Sequence, residues 1–149
     1  MNIKSKLIVK PFSKENLNDV FELDKDISNN FKSINQLLEY VNDGKYINVI
    51  GIVDSVVVGY IISLIVLDEV HIHTVYVSKN FRRKRIATKL IQTILDKSKI
   101  LRKKKLCLEV SCCNINAIGL YEKIGFTKVG NRKEYYKEGI DAILMDLNF

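Results

Sequence analysis

From Tyr46 to Val77 the chain is mostly apolar and rich in β-branched residues, with acidic turn signals at Asp54-Ser55 and Asp68-Glu69. β-Branched side chains fit the pleated strand better than the helix. Three runs result: Tyr46 to Val53, Val56 to Leu67 and Val70 to Val77. Turns this tight force neighbouring strands to run in opposite directions, so the segment is predicted to be an antiparallel meander. The rest of the chain must be fitted around it.

Before the meander, Lys6 to Lys10 is expected to be a short strand. Ser13 can cap a helix reaching about Ile27, with Leu17, Val20 and Phe21 on one face. Ser33 and Gln36 have capping-box spacing, and Ile34, Leu37, Leu38 and Val41 form the stripe of a second helix that Gly44 ends. After the meander the period changes. Ala87, Leu90, Ile91, Ile94, Leu95 and Ser98 share one face of a helix to about Ile100. Leu106 to Val110 reads as a buried strand. Asn114 can cap a helix carrying Ala117, Leu120, Tyr121 and Ile124, stopped by Gly125, and Phe126 to Val129 and Ala142 to Leu147 close the sheet. The predicted order is β-α-α-β-β-β-α-β-α-β-β: an α/β fold with a mixed central sheet and helices on both faces. The 149 residues suit one domain, and a chain of that length buries about 70% of its unfolded surface without a disulfide or metal staple.

No apolar run approaches the ~20 residues needed to cross a bilayer. The longest, Val56 to Leu67, is broken by Gly59 and Ser63, and Met1 to Lys10 contains no signal-peptide core. Cys107, Cys112 and Cys113 form no C-x-x-C pair, and two are adjacent, which suits neither a disulfide framework nor a zinc site. These features lead us to expect a cytoplasmic protein with no membrane partner.

The net charge is +7, which suggests an anionic partner, either nucleic acid or a nucleotide-like cofactor. The charge is concentrated where a strand meets a helix, in Val75-Tyr76-Val77-Ser78-Lys79-Asn80-Phe81-Arg82-Arg83-Lys84-Arg85-Ile86-Ala87-Thr88. Amides at a helix start are unpaired and attract anions. Four cations at that end oppose the helix dipole, a cost that a bound anion would remove. By charge alone, a solvated basic patch or a nucleic-acid contact serves equally well.

The chain resembles the GNAT superfamily of N-acetyltransferases. Arg82-Arg83-Lys84-Arg85-Ile86-Ala87 matches its donor-binding signature, Gln/Arg-x-x-Gly-x-Gly/Ala, except that Arg85 stands at the first glycine. Leu108-Glu109-Val110, then Asn114-x-x-Ala117-x-x-Leu120-Tyr121-x-x-x-Gly125-Phe126, is similar to the RimI-type branch, which acetylates protein N-termini. The tail Asn131 to Tyr136 and Asp141 to Met145 is similar as well, so the likeness covers about Asp68 to Phe149. It implies acetyl-CoA as co-substrate. The backbone of Val75, Tyr76 and Val77 would hold the pantetheine arm. The segment Arg82, Arg83, Lys84, Arg85, Ile86, Ala87 and Thr88 would hold the pyrophosphate, with Asn114 on the donor arm. It also implies Glu109 as general base through a water, Tyr121 as general acid, and Tyr135 and Tyr136 as walls of a peptide groove. Arginine at position 85 would either divert the backbone or bring a guanidinium to a phosphate.

The chemistry is consistent with these roles. An α-amine has a pKa of about 7.7–8.0, so much of it is protonated at neutral pH and needs a base. Attack on the thioester creates an oxyanion that an N–H of Val75 to Val77 can stabilise. The departing thiolate needs a proton. Outside the motif, Glu109 would be a surface ion-pair partner and Tyr121 core packing. Glu69, His71 and His73 alternate as metal ligands can, but no further ligand is evident, so no metal is expected and the three are assigned to holding water. Cys112 and Cys113 lack a matching base and are expected to lie in a bend. Lys99 and Arg102 to Lys105 suit a solvated helix end, with a draw toward ribosomes or the donor's phosphorylated ribose as the alternative. The favoured acceptor is a protein N-terminus, such as that of a ribosomal protein. A small amine such as a polyamine or antibiotic is the alternative, since acceptor choice lives in loops. An RNA-binding module is a third reading, disfavoured because no RNA-recognition motif is present.

Overall fold

The structure is a computed structural model describing residues 5–25 and 31–149. The meander forms as expected, as β2 (Tyr46–Val53), β3 (Val56–Val66) and β4 (Glu69–Val77). Asp54 and Ser55 both have positive φ, 48° and 66°, the handedness that a two-residue hairpin turn requires. The second turn lies one residue earlier than expected. It is Leu67-Asp68, with Leu67 at φ 56°, because Glu69 already pairs with Val66 as part of β4.

The flanking elements are β1 (Leu7–Pro11), α1 (Leu17–Lys25), α2 (Ile34–Asn42), α3 (Ile86–Ile100), β5 (Lys105–Ser111), α4 (Ile115–Ile124), β6 (Thr127–Lys137) and β7 (Ile140–Asn148). A single 3-10 turn, Lys14–Asn16, precedes α1, and Ser13 N–H donates to Asn16 Oδ1 at 3.2 Å. The expected helix end at Ile27 lies outside the described residues. Ser33 caps α2 by accepting from Gln36 N–H at 3.4 Å; the returning Gln36 Oε1 takes Lys32 N–H instead of that of Ser33. Strand β6 runs eight residues beyond the expected Val129, and most of its length is exposed.

The sheet order is β1-β2-β3-β4-β5-β7-β6. Every neighbouring pair is antiparallel except β4 and β5. Helices cover both faces. Leu90, Ile91 and Ile94 of α3 and Tyr121 of α4 pack with Val49, Ile61, Val70, Leu106 and Leu108 on one side. On the other, Val20 and Leu37 pack with Ile50, Tyr60, Ile62 and Tyr76. Fully burying side chains of this size stabilises the fold by about 1.5–3 kcal/mol each.

The β4–β5 pairing is short. Glu69 to Ile72 pair with Lys105 to Leu108, and then the strands part. From Thr74 to Val77, β4 keeps β3 on one side and has no strand on the other among the described residues. Glu109 to Ser111 likewise keep only β7. A wedge therefore opens inside the sheet, lined by backbone groups.

Candidate active site

At one end of the wedge the chain turns from β4 into α3. A 3-10 turn, Lys79–Phe81, leads into the arginine-rich loop, and Arg85 is the residue just before α3. Arg83 and Arg85 both have φ 61°, in the left-handed region. The arginine at the signature's glycine position has thus not diverted the backbone: it holds the left-handed conformation that glycine adopts most readily. Such a conformation costs an L-residue roughly 1–2 kcal/mol. The loop's four cations, Arg82 to Arg85, are exposed, and none has a carboxylate partner among the described residues. Arg82 folds back on the strand. Its Nε donates to the Val77 carbonyl at 3.1 Å, and its guanidinium lies 5.8 Å from the Tyr76 ring. The first amides of α3 have no acceptor within the helix. The result is a corner of unneutralised positive charge beside free helix amides.

The Tyr76 ring lies between Arg82 and the core, 5.9 Å from Tyr60. Its hydroxyl is buried and has no hydrogen-bond partner among the described residues. Asn114 stands across the wedge at the start of α4. Its Oδ1 accepts Ala117 N–H at 3.2 Å, as expected of a cap, which leaves the amide nitrogen as its donor.

Glu109 is the fifth residue of the seven in β5. It is half-buried and paired with Arg132 of β6 at 3.3 Å. Tyr121 is buried on α4, edge-on to Phe126 at 5.8 Å. Burial, with a smaller contribution from Tyr136, pushes its hydroxyl up to about 12. It is fully protonated at neutral pH. Tyr136 is also raised, by burial first and then by the charge of Glu109.

A cavity of about 620 Å³ lies on the sheet face that α1 and α2 leave uncovered. Glu109, Tyr135 and Tyr136 line it, whereas Val75 to Val77, Arg82 to Thr88 and Asn114 do not. The structure therefore separates a cationic corner from an open chamber, with the wedge between them.

The chamber also brings together residues that lie far apart in the chain. Lys105 bridges Glu69 and Asp146, at 3.0 Å from each. Glu69 accepts from His71 at 2.8 Å and from the Cys107 thiol at 3.6 Å. Burial, then the charges of Asp146 and Glu69, push the Cys107 thiol up to about 12. The second basic run is not simply a solvated helix end. Lys103 donates to the Leu67 carbonyl, and Lys104 and Lys105 pair with Asp68 and Glu69, so these lysines secure the β3–β4 turn. Cys112 and Cys113 lie in the bend after β5, with their sulfurs 3.9 Å apart.

Comparison with known proteins agrees with this layout. The sequence profile of the acetyltransferase (GNAT) family matches residues 14–126. An N-alpha-acetyltransferase of Saccharolobus solfataricus is 37% identical over 109 residues, 64% of this chain and 65% of its own length. The ribosomal protein bS18-alanine N-acetyltransferase of Salmonella typhimurium is 31% identical over 106 residues, covering 69% of this chain and 72% of that protein. In three dimensions, the crystal structure of Arabidopsis thaliana NAA60 in complex with acetyl-CoA superposes with a TM-score of 0.87. It has 19% identity and covers 97% of this chain and 99% of its own. The chain spans 65% of the archaeal relative's length. No described helix is long and apolar enough to cross a membrane. The wedge, the cationic corner and the profile over residues 14–126 converge, and the chain belongs to the acetyltransferase (GNAT) family.

Proposed function

We propose that this protein transfers the acetyl group of acetyl-CoA directly to the N-terminal α-amine of a protein. The observation that carries the reading is the wedge between β4 and β5, an unpaired strand edge ending at an unneutralised cationic corner. A pantetheine arm is an extended chain of amides and can pair with that edge as a short strand would. The donor's phosphates would then meet the amides from Arg83 to Thr88 and the side chains of Arg82 to Arg85. Asn114 would donate its amide to the arm. Related N-alpha-acetyltransferases and the bS18-alanine enzyme support a protein N-terminus as acceptor. Tyr135 and Tyr136, both about half exposed on the chamber wall, would shape the peptide's path. The three free thiols suit the reducing cytoplasm, where acetyl-CoA and nascent proteins meet.

In the reaction the amine nitrogen attacks the thioester carbonyl, and its proton passes through a water to Glu109. The ion pair of Glu109 with Arg132 is half exposed, and such pairs contribute about 1 kcal/mol or less. Arg132 therefore does not lock the carboxylate away. A backbone N–H of Val75 to Val77 stabilises the oxyanion. The C–S bond then breaks, and Tyr121 donates its proton to the sulfur, giving the amide and free coenzyme A thiol. A free thiol at ~8.5 would be too weak a base to take a proton from so weak an acid. A thiolate held out of water beside Tyr121 would be a stronger base, because burial disfavours its charge as it does that of the phenol.

The test is thiol release from acetyl-CoA with short peptides of varied first residue, each with a free or blocked N-terminus, and with polyamines in parallel. Turnover that needs the free peptide α-amine supports the proposal. Turnover only with polyamines overturns the acceptor class, and none with any amine overturns the activity.

A further inference from the structure

We propose that Glu69, His71 and Cys107 form a binding site for a borderline-soft divalent cation, best matched by zinc, with one coordination position open to the chamber. Two strands build the site. In the paired part of β4 and β5, His71 lies opposite Cys107 and Glu69 opposite Lys105. The donor atoms of Glu69, His71 and Cys107 all lie within 4.8 Å of one another. They sit where the strands are still hydrogen-bonded together, before the wedge opens, so their spacing is fixed by the sheet.

The spacing suits tetrahedral zinc. Metal–ligand lengths of about 2.0–2.1 Å to nitrogen or oxygen and about 2.3 Å to sulfur place donor atoms roughly 3.3–3.6 Å apart. Glu69 Oε2 is 3.6 Å from Cys107 Sγ, already at that separation. It is 2.8 Å from His71 Nε2, so this edge needs to widen by about half an ångström. His71 is partly exposed and has room to turn. One carboxylate, one imidazole and one thiol are also the wrong set for magnesium or calcium, which take oxygen ligands, and the right set for zinc.

The surrounding charge argues the same way. Lys105 holds Glu69 by Oε1, the oxygen that does not face His71 and Cys107. The lysine thus orients the carboxylate without blocking the site. Asp146 pairs with the same lysine and flanks the Cys107 thiol. The carboxylates of Glu69 and Asp146 against the one ammonium of Lys105 leave one negative charge in excess. A dication that displaces the thiol proton brings the sum to zero. The bond balance is simple: S–H is exchanged for S–metal and that proton leaves to solvent, while the Nε2 proton that His71 shares with Glu69 passes through solvent to Nδ1, so that the Nε2 lone pair can face the ion. All three ligands line the chamber, so the fourth position faces its open volume.

The test uses the full chain, stripped with a chelator and titrated with cobalt(II) alone, then with zinc as competitor. The expected result is one-to-one binding with a thiolate-to-cobalt band in the near ultraviolet and the visible bands of a four-coordinate ion. Zinc should displace it. Cys107→Ser should abolish the near-ultraviolet band, and His71→Ala should weaken affinity by at least about ten-fold. Should Cys107→Ser fail to fold, His71→Ala at its part-exposed position decides the same question, with far-ultraviolet circular dichroism as the folding control. A Cys112→Ser/Cys113→Ser double variant should keep the band. The proposal is overturned if no band forms with the parent chain, if His71→Ala binds as tightly as the parent, or if the band survives Cys107→Ser and vanishes in the double variant, which would place the ion on the adjacent thiols.

Discussion

Arg85 takes the path of a glycine while keeping the charge of an arginine. Replacing it with glycine therefore has no misdirected backbone to repair. Relief of left-handed strain, roughly 1–2 kcal/mol, is opposed by the greater entropy of an unfolded glycine, about 0.4–1 kcal/mol. We expect Arg85→Gly to change stability by under ~1 kcal/mol and to weaken coenzyme A binding several-fold, more at low salt than at high. Calorimetric titration at two ionic strengths checks this; tighter binding would show a loop handicapped by its arginine. Tyr121→Phe removes the proposed proton donor from a buried site while leaving the ring against Phe126. Turnover should fall by roughly 10²-fold or more with little change in donor affinity. Glu109→Gln should lower turnover most below the amine's own pKa. Glu109, Asn114 and Tyr121 could be proposed from the sequence because they stand at fixed offsets in one contiguous stretch that resembles the family. The meeting of His71 with Cys107 is not. It depends on a parallel pairing across a crossover helix, and no periodicity within either strand records its partner.

Strands with one buried face announce themselves, and strands without one do not. The meander is legible to within a residue because its apolar runs are long and its turns polar. Strand β6 reads shorter than it is because nearly all its residues are exposed, so Asn131 to Glu134 look like a loop. Its conformation comes from pairing with β7, through two irregularities in register, after Lys128 and after Arg132. At the β3–β4 contact the controlling residue is small. A Cβ on Gly59 would lie 2.7 Å from the Tyr76 carbonyl oxygen and 3.3 Å from Leu90. Backbone cannot swing aside as a side chain can. Gly59→Ala should destabilise the fold by about 1–3 kcal/mol in urea unfolding. It should also weaken coenzyme A binding, because the displaced segment of β4 is the edge of the wedge. Normal donor affinity in a destabilised variant would separate the wedge from the binding site.

For the molecule as a whole, charge sets two responses. The hydrogen bond from Lys105, then that from His71, holds the Glu69 carboxyl below the usual range, and Lys105 is raised in return. A lowered carboxyl stabilises the fold fully above its unfolded value, near ~4.3, and that contribution is lost as pH falls through the lower folded value. The raised lysine contributes fully below its unfolded value, near ~10.4, and is lost only as pH rises beyond it. Thermal melts of the parent and of Glu69→Gln should therefore differ most between about pH 5 and 9 and converge below about pH 4. Acetyl-CoA at a hundred times its dissociation constant should add about 2.7 kcal/mol of stability, a gain that shrinks as salt rises. An unchanged melting temperature would remove the donor site.

A flat ribbon of strands has two margins, and both are guarded here. Pro11 interrupts the donors of β1, and Lys128, Arg132, Lys133 and Lys137 stud β6. The wedge gives this sheet a third margin, sunk within it and bare of such guards over Val75 to Val77. Bare margins recruit other strands. Whatever extended molecule lodges there also plugs the seam through which a foreign peptide could add itself to the fold. An enzyme kept short of its donor would then be sticky as well as idle.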